Sequence, residues 1–300
     1  MFRAHLALRT PHHNINMENS LSLVRPSWRS YLRAVLAIAR KDWLHFQRYP
    51  LNAIFKVVEP ITWLTPVYFL GQSFGATGGG AGFAEYAGTP DYMSFILVGV
   101  ILSNYVAAVF WGMGFALKLD MDAGLLESNW LTPLPRPLFL VGQTIASLVM
   151  TTVTSAGVLV VAWLLFGFRP AGDVWAAALV TVLVLAALYG LGFAFAALAL
   201  LTKDPTNLID VSNFLVTQLS GSQFPVRALP RVLLPLALAM PLTYGYDLVR
   251  GFLLNAETLL PVPYEIAILL VFMVVTIALG YAVFTRVERY VRRAGTLATH

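Results

Sequence analysis

Apolar residues in this chain gather in long runs, at 52–71, 95–117, 138–166, 174–201 and 265–285. Each is long enough for a helix rising about 1.5 Å per residue to cross a hydrocarbon layer about 30 Å thick. A sixth run, 207–221, is shorter and passes into "SGSQFP". The next stretch, "ALPRVLLPLALAMPLTYGYDLVRGFLL", is equally apolar, but Pro230, Pro235 and Pro241 cut it into pieces too short to span. Broken backbone of this kind persists at membrane depth only where protein or a water-filled cavity satisfies its polar groups, so it reads as a re-entrant element.

The segment 28–48 follows a different period. Trp28, Leu32, Val35, Ala39, Trp43 and Phe46 recur at helical spacing, while Arg29, Arg33 and Arg40 share another face. This pattern predicts an amphipathic helix lying in a membrane interface with its aromatic rings at headgroup depth.

Composition agrees with a membrane setting. Charged residues make up 12% of the 300 positions and hydrophobic residues 58%, with a mean hydropathy of +0.72. A soluble domain carries about 25% charge. No cysteine occurs, which removes disulfides, thiolate nucleophiles and Cys metal sites. The net charge of +5 sits beside the apolar runs, as at a membrane surface, rather than in a nucleic-acid-binding tract.

The placement of that charge sets an expected orientation. Arg3, Arg9, Arg25, Arg29, Arg33, Arg40, Lys41 and Arg48 precede the first run, and Arg286, Arg289, Arg292 and Arg293 follow the last. Basic flanks stay on the cytoplasmic side, so both ends are expected inside and the number of spans even: six. The loop 72–94, free of Lys and Arg, then faces out; 122–143 and "TKDPT" at 202–206 face in. The fold expected is an all-α membrane protein. It has a cytoplasmic tail (1–26), an interfacial helix (27–49), a six-span unit (50–286) with an outward-side re-entrant segment between spans five and six, and a basic cytoplasmic tail (287–300). The first residues lack a signal-peptide pattern, and Met17 is an alternative start. No internal repeat is visible.

Enzymatic patterns are absent or spurious. No Lys follows a Gly, so no Walker A lysine is present. His5, His12, His13, His45 and His300 form no HExxH and lie in no span, and no metal site is expected. Gly71–Gly75 fits G-x-S-x-G, but its Ser follows a span on the side away from every His, so chance composition explains it. Lys56 and Glu59, three apart in the first span, are expected to pair on one helix face, and Asp210 to favour the start of the fifth span through the helix dipole.

Two longer stretches bear resemblance to a known family. "AGLLESNWLTPLPRPLFLVGQ" (123–143) and "SGSQFPVRALP…MPLTYGYDLVRG" (220–251) are similar, in this order, to the signature segments of the type-2 ABC exporter permeases. These are the membrane subunits of bacterial drug, glycolipid and polysaccharide exporters. The second stretch matches at Gly221, Phe224, Pro225, Leu229, Pro230, Pro241, Leu242, Thr243, Tyr244, Asp247 and Arg250. The resemblance covers nearly all of the chain from Trp28 onward.

The resemblance implies a pair of permease subunits, two copies or one copy with a homologue, seated on separately encoded ATPase subunits that bind ATP and Mg. It implies a coupling helix in the first cytoplasmic loop, carried by Gly124, Leu125, Leu126, Glu127 and Trp130, with Pro133, Pro135 and Pro137 stiffening the return. The helix 28–48 takes the place of the family's connecting helix. The gate-side element comprises Gly221, Phe224, Pro225, Pro230, Pro241, Tyr244, Asp247 and Arg250; the three-residue spacing of Asp247 and Arg250 lets them pair on one helix face and fix that element.

A path is expected between the second and fifth spans, lined by Asn104, Tyr105, Phe110, Trp111, Asn213, Phe214, Thr217 and Gln218. Their alternating polar and aromatic character suits an amphipathic substrate. The function expected is outward transport of a lipophilic drug or lipid-like molecule across the inner or plasma membrane. A lipid-linked polysaccharide is the alternative cargo, and an ion-coupled secondary transporter the alternative class. The latter would need an acid at mid-span, and none is visible there.

Overall fold

The computed structural model describes residues 28–76, 80–122, 136–202 and 205–294. Among them every regular element is helical. The order is α1 (Trp28–Arg48), α2 (Pro50–Ala76), α3 (Gly80–Ala87), α4 (Tyr92–Asp122), α5 (Arg136–Phe166), α6 (Val174–Thr202) and α7 (Thr206–Leu219). A 3₁₀ turn (Val226–Ala228), α8 (Leu234–Ala239), α9 (Pro241–Leu254) and α10 (Val262–Ala294) follow.

Among the described residues, five segments are long and apolar enough to cross a membrane: Pro50–Ser73, Gly82–Phe115, Pro137–Phe166, Val174–Thr202 and Val262–Val291. The expected fifth span coincides with α7, a helix of 14 residues. That length rises about 21 Å, less than the hydrocarbon thickness of about 30 Å. The helix ends there because Gly221 takes a left-handed backbone (φ 75°), which turns the chain after Leu219.

The core forms where α6 packs against α10 and α4. Thr276 on α10 donates its hydroxyl to the carbonyl of Ala187 on α6, 2.8 Å away, tying the two helices across their contact. Phe110 of α4 is fully enclosed against Phe195 of α6, with ring centroids 4.7 Å apart. A second cluster, including Leu64, Phe95, Leu97, Val158 and Phe168, joins α2, α4 and α5.

α1 packs chiefly on α5 and buries Val35, while Trp28, Leu32 and Leu36 remain exposed. α2 continues through Pro60 and Pro66. Each proline lacks the N–H that would close the helical turn behind it. Nearby, Thr62 and Thr65 donate their hydroxyls to the carbonyls of Val58 and Ile61, one turn back.

Candidate functional site

The proline-cut stretch folds as an ordered cap whose anchor is α9. Thr243 and Tyr244 donate their hydroxyls to the carbonyls of Ala237 (2.6 Å) and Leu238 (2.8 Å) at the C-terminal end of the short α8, where Ala237 also accepts the Met240 N–H. Tyr246, almost fully buried, shares a 2.9 Å hydrogen bond with Ser103 of α4.

Arg250 is 4% exposed and binds three carbonyls at once. Its Nε donates to Phe95 (3.1 Å), and its two terminal nitrogens to Gly221 (2.8 Å) and Ser222 (2.6 Å). The guanidinium also stacks over the Phe95 ring at 3.5 Å. The turn that reverses the chain after α7 is thereby fixed to the start of α4. Gly99 permits this approach: a Cβ there would stand 1.7 Å from the Ser222 carbonyl oxygen.

Asp247 therefore does not serve as the partner expected for Arg250, since no ion pair within 4 Å joins them. Its carboxylate instead accepts the backbone N–H of Leu259 at 2.5 Å and faces Glu265 of α10. Burial pushes the Asp247 carboxyl above the ordinary carboxylate range, against the lowering effect of the Leu259 N–H.

A cavity of about 730 Å³ opens between α2, α4 and α5 and reaches the end of α7. Of the eight expected path residues, it gathers Asn104, Trp111 and Gln218. To these it adds Lys56, Glu59 and Trp63 of α2, Ser147, Thr151 and Thr154 of α5, and Gln223 beyond α7. The side-chain oxygen of Gln218 is buried without a hydrogen-bond partner. Lys56 and Glu59 both line this space and form no ion pair within 4 Å, contrary to the pairing expected from their spacing.

The remaining five residues lie elsewhere. Tyr105 donates its hydroxyl to Thr152 of α5 at 2.9 Å, and Phe110 sits in the core. Thr217 is turned onto its own helix through the carbonyls of Asn213 and Phe214. Asn213 is half-buried with an unpartnered side-chain oxygen, and Phe214 is exposed. The coupling-helix residues Gly124, Leu125, Leu126, Glu127, Trp130 and Pro133 lie outside the described residues.

The family model described as "ABC-2 type transporter" matches residues 33–254, from within α1 to the end of α9. The chain belongs to the ABC-2 type transporter family. No curated protein matches the sequence. ABC-2 type chains are membrane transport subunits rather than nucleotide-binding ones, and they work with partner ATPase subunits. With its five long apolar helices, this member is a multi-pass membrane protein and a permease subunit of an ABC transporter.

Sequence reasoning passed over three residues of this ABC-2 chain that the fold brings into play: Ser103, Tyr246 and Glu265. Glu265 carried a usable signal, as the acid in the first turn of an otherwise apolar helix. Ser103 and Tyr246 carried none, because a hydroxyl in a run of small and aromatic residues acquires meaning only from its neighbour in space.

Proposed function

We propose that this chain is the transmembrane half of an ATP-driven exporter, moving an amphipathic, drug-like or lipid-like molecule outward while separate ATPase subunits supply the energy. Two permease subunits complete the complex, with both termini in the cytoplasm. In this reading α7 makes the fifth crossing and α10 the sixth, the cap between them is a re-entrant element on the outer side, α1 rests in the cytoplasmic interface, and 124–133 docks on the ATPase.

The single observation that carries the cargo reading is the cavity between α2, α4, α5 and α7. Trp63 and Trp111 offer flat apolar surface, while Asn104, Gln218 and Gln223 offer hydrogen bonds. A wall that mixes polar and apolar side chains suits a molecule with an apolar body and a polar end. Its volume lies within the range of about 300–1,000 Å³ usual for small-molecule sites.

The test is reconstitution with a partner ATPase identified by copurification with this chain. ATP-dependent uptake of a fluorescent amphiphile into inside-out vesicles supports export. ATP hydrolysis indifferent to the permease, or uptake that proceeds without ATP, contradicts it.

A further inference from the structure

Two buried acids meet at the junction of α9 and α10. Asp247 accepts the backbone N–H of Leu259 at 2.5 Å, and Glu265 accepts that of Leu260 at 2.8 Å. Adjacent amides of one loop thus draw two carboxyl groups toward each other, close enough for each to act on the other's ionisation. Glu265 is 0% exposed, and its second oxygen, Oε2, has no hydrogen-bond donor. A buried, unpartnered carboxylate oxygen is costly, and two ionised carboxylates side by side are costlier still.

The surrounding charges do not neutralise the pair. Arg250, one turn beyond Asp247 on α9, is held by three carbonyls and the Phe95 ring. Arg227, from the 3₁₀ turn, donates to the Thr258 carbonyl at 3.0 Å. Neither forms an ion pair within 4 Å with either acid. Tyr244 of α9 stands near Glu265, and Glu257 of the loop and Tyr86 of α3 share a small cavity with Asp247. Helix α6, packed against both α9 and α10, carries no Asp, Glu, Lys, Arg or His from 174 to 202. The first-turn position of Glu265 favours negative charge, but the Leu260 N–H already engages its other oxygen.

We propose that Asp247 and Glu265 form a binding site for one shared proton, and that this proton clasps the α9–α10 loop shut. With the proton present, one carboxyl becomes a donor and Oε2 gains its missing partner. With it lost, two anions repel inside the junction and the clasp loosens.

The consequence extends beyond the loop because α9 holds two things at once. Asp247 fixes the loop after it, and Arg250 fixes the Gly221–Ser222 turn before it. Loss of the proton therefore loosens the helix that anchors the whole cap. If the cap faces outward, as the topology reading above has it, the site responds to external pH. The proton site itself does not depend on that reading.

The experiment uses the full-length chain in lipid nanodiscs, without ATPase or substrate, so its outcome is independent of whether the chain exports anything. Thermal unfolding is followed from mildly acidic to alkaline pH for the wild type, Glu265→Gln and Asp247→Asn. The sign follows from linkage: a carboxyl that keeps its proton in the folded state but loses it in the unfolded state destabilises the fold as pH rises. The wild type is therefore expected to lose stability toward alkaline pH. Glu265→Gln, whose amide donates permanently, is expected to lose that slope.

Infrared difference spectra between mild and alkaline pH supply a second readout, whose decisive arm is the wild type itself. The wild type should show the carbonyl stretch of a protonated carboxylic acid disappearing on alkalinisation, and that band should be absent in Glu265→Gln. Parallel stability curves for the wild type and Glu265→Gln, or no such band in the wild type, overturn the proposal. So does stabilisation of the wild type, but not of Glu265→Gln, by calcium at neutral pH, because the pair would then be a cation site.

Discussion

Arg250 of α9 lies 3.5 Å over the ring of Phe95 on α4 and donates its Nε to that residue's own carbonyl. Its other nitrogens hold Gly221 and Ser222, so one side chain joins α9, α4 and the turn after α7. Arg→Lys is not conservative at such a place, because a single ammonium cannot reproduce a planar fork stacked on a ring. Arg250→Lys is expected to cost about 3 kcal/mol, on the scale of about 1.5–3 kcal/mol for each hydrogen bond to a charged group. A lowered melting temperature in detergent, with helix content retained, is the readout; wild-type stability would refute the assignment.

Gly99 faces the same turn. A Cβ there stands 1.7 Å from the Ser222 carbonyl oxygen, a backbone atom with little freedom to retreat. Gly99→Val is expected to insert into the membrane but lift the turn away from α4. The chain has no cysteine, so a single Ser222→Cys probe reports this directly. Ser222 is buried in the wild-type background, and faster thiol labelling is expected when Gly99 is replaced.

The limits of sequence reading are visible in α9. Its proline boundaries, and the idea of an ordered broken segment, followed from residue type alone. The Asp247–Arg250 spacing also permitted a pair, but the fold offered each residue a better partner: free backbone carbonyls for the arginine, the N–H of Leu259 for the acid. Spacing along one helix shows which residues can meet, and it leaves competition from other helices unseen. The same holds for Lys56 and Glu59, which open onto the cavity without pairing.

The long apolar runs translated into helices with little change, since a bilayer leaves the backbone no alternative over such lengths. The cavity was legible in part. Asn104, Trp111 and Gln218 line it, but the α2 and α5 walls emerged only from packing. Phe110 shows why: an aromatic residue in a span has the same appearance in sequence whether it faces a path or, as here, the core.

Gln218 lines the cavity, and its buried side-chain oxygen has no hydrogen-bond partner until that side chain turns toward a cargo. In the export reading, Gln218→Leu removes a hydrogen bond worth about 0.5–1.5 kcal/mol, and so should raise the KM for a cargo bearing N–H or O–H donors by about threefold to tenfold. An N- or O-methylated analogue should be affected much less. Equal shifts for both compounds would place Gln218 away from the cargo.

Trp130 is the test of the motor contact. Placing a charge on the apolar face of the expected coupling helix, by Trp130→Arg, should leave the permease in the membrane while uncoupling ATP hydrolysis from export. The ratio of cargo moved to ATP hydrolysed measures this. An unchanged ratio would remove 124–133 from the docking surface.

The central claim is that this chain is a permease without its own power source. The most direct measurement compares amphiphile uptake by inside-out vesicles containing the chain with its partner ATPase, and with that ATPase lacking its Walker A lysine. Accumulation is expected with the active ATPase and background levels with the inactive one. Equal accumulation in both, or transport by the purified chain alone, would contradict it.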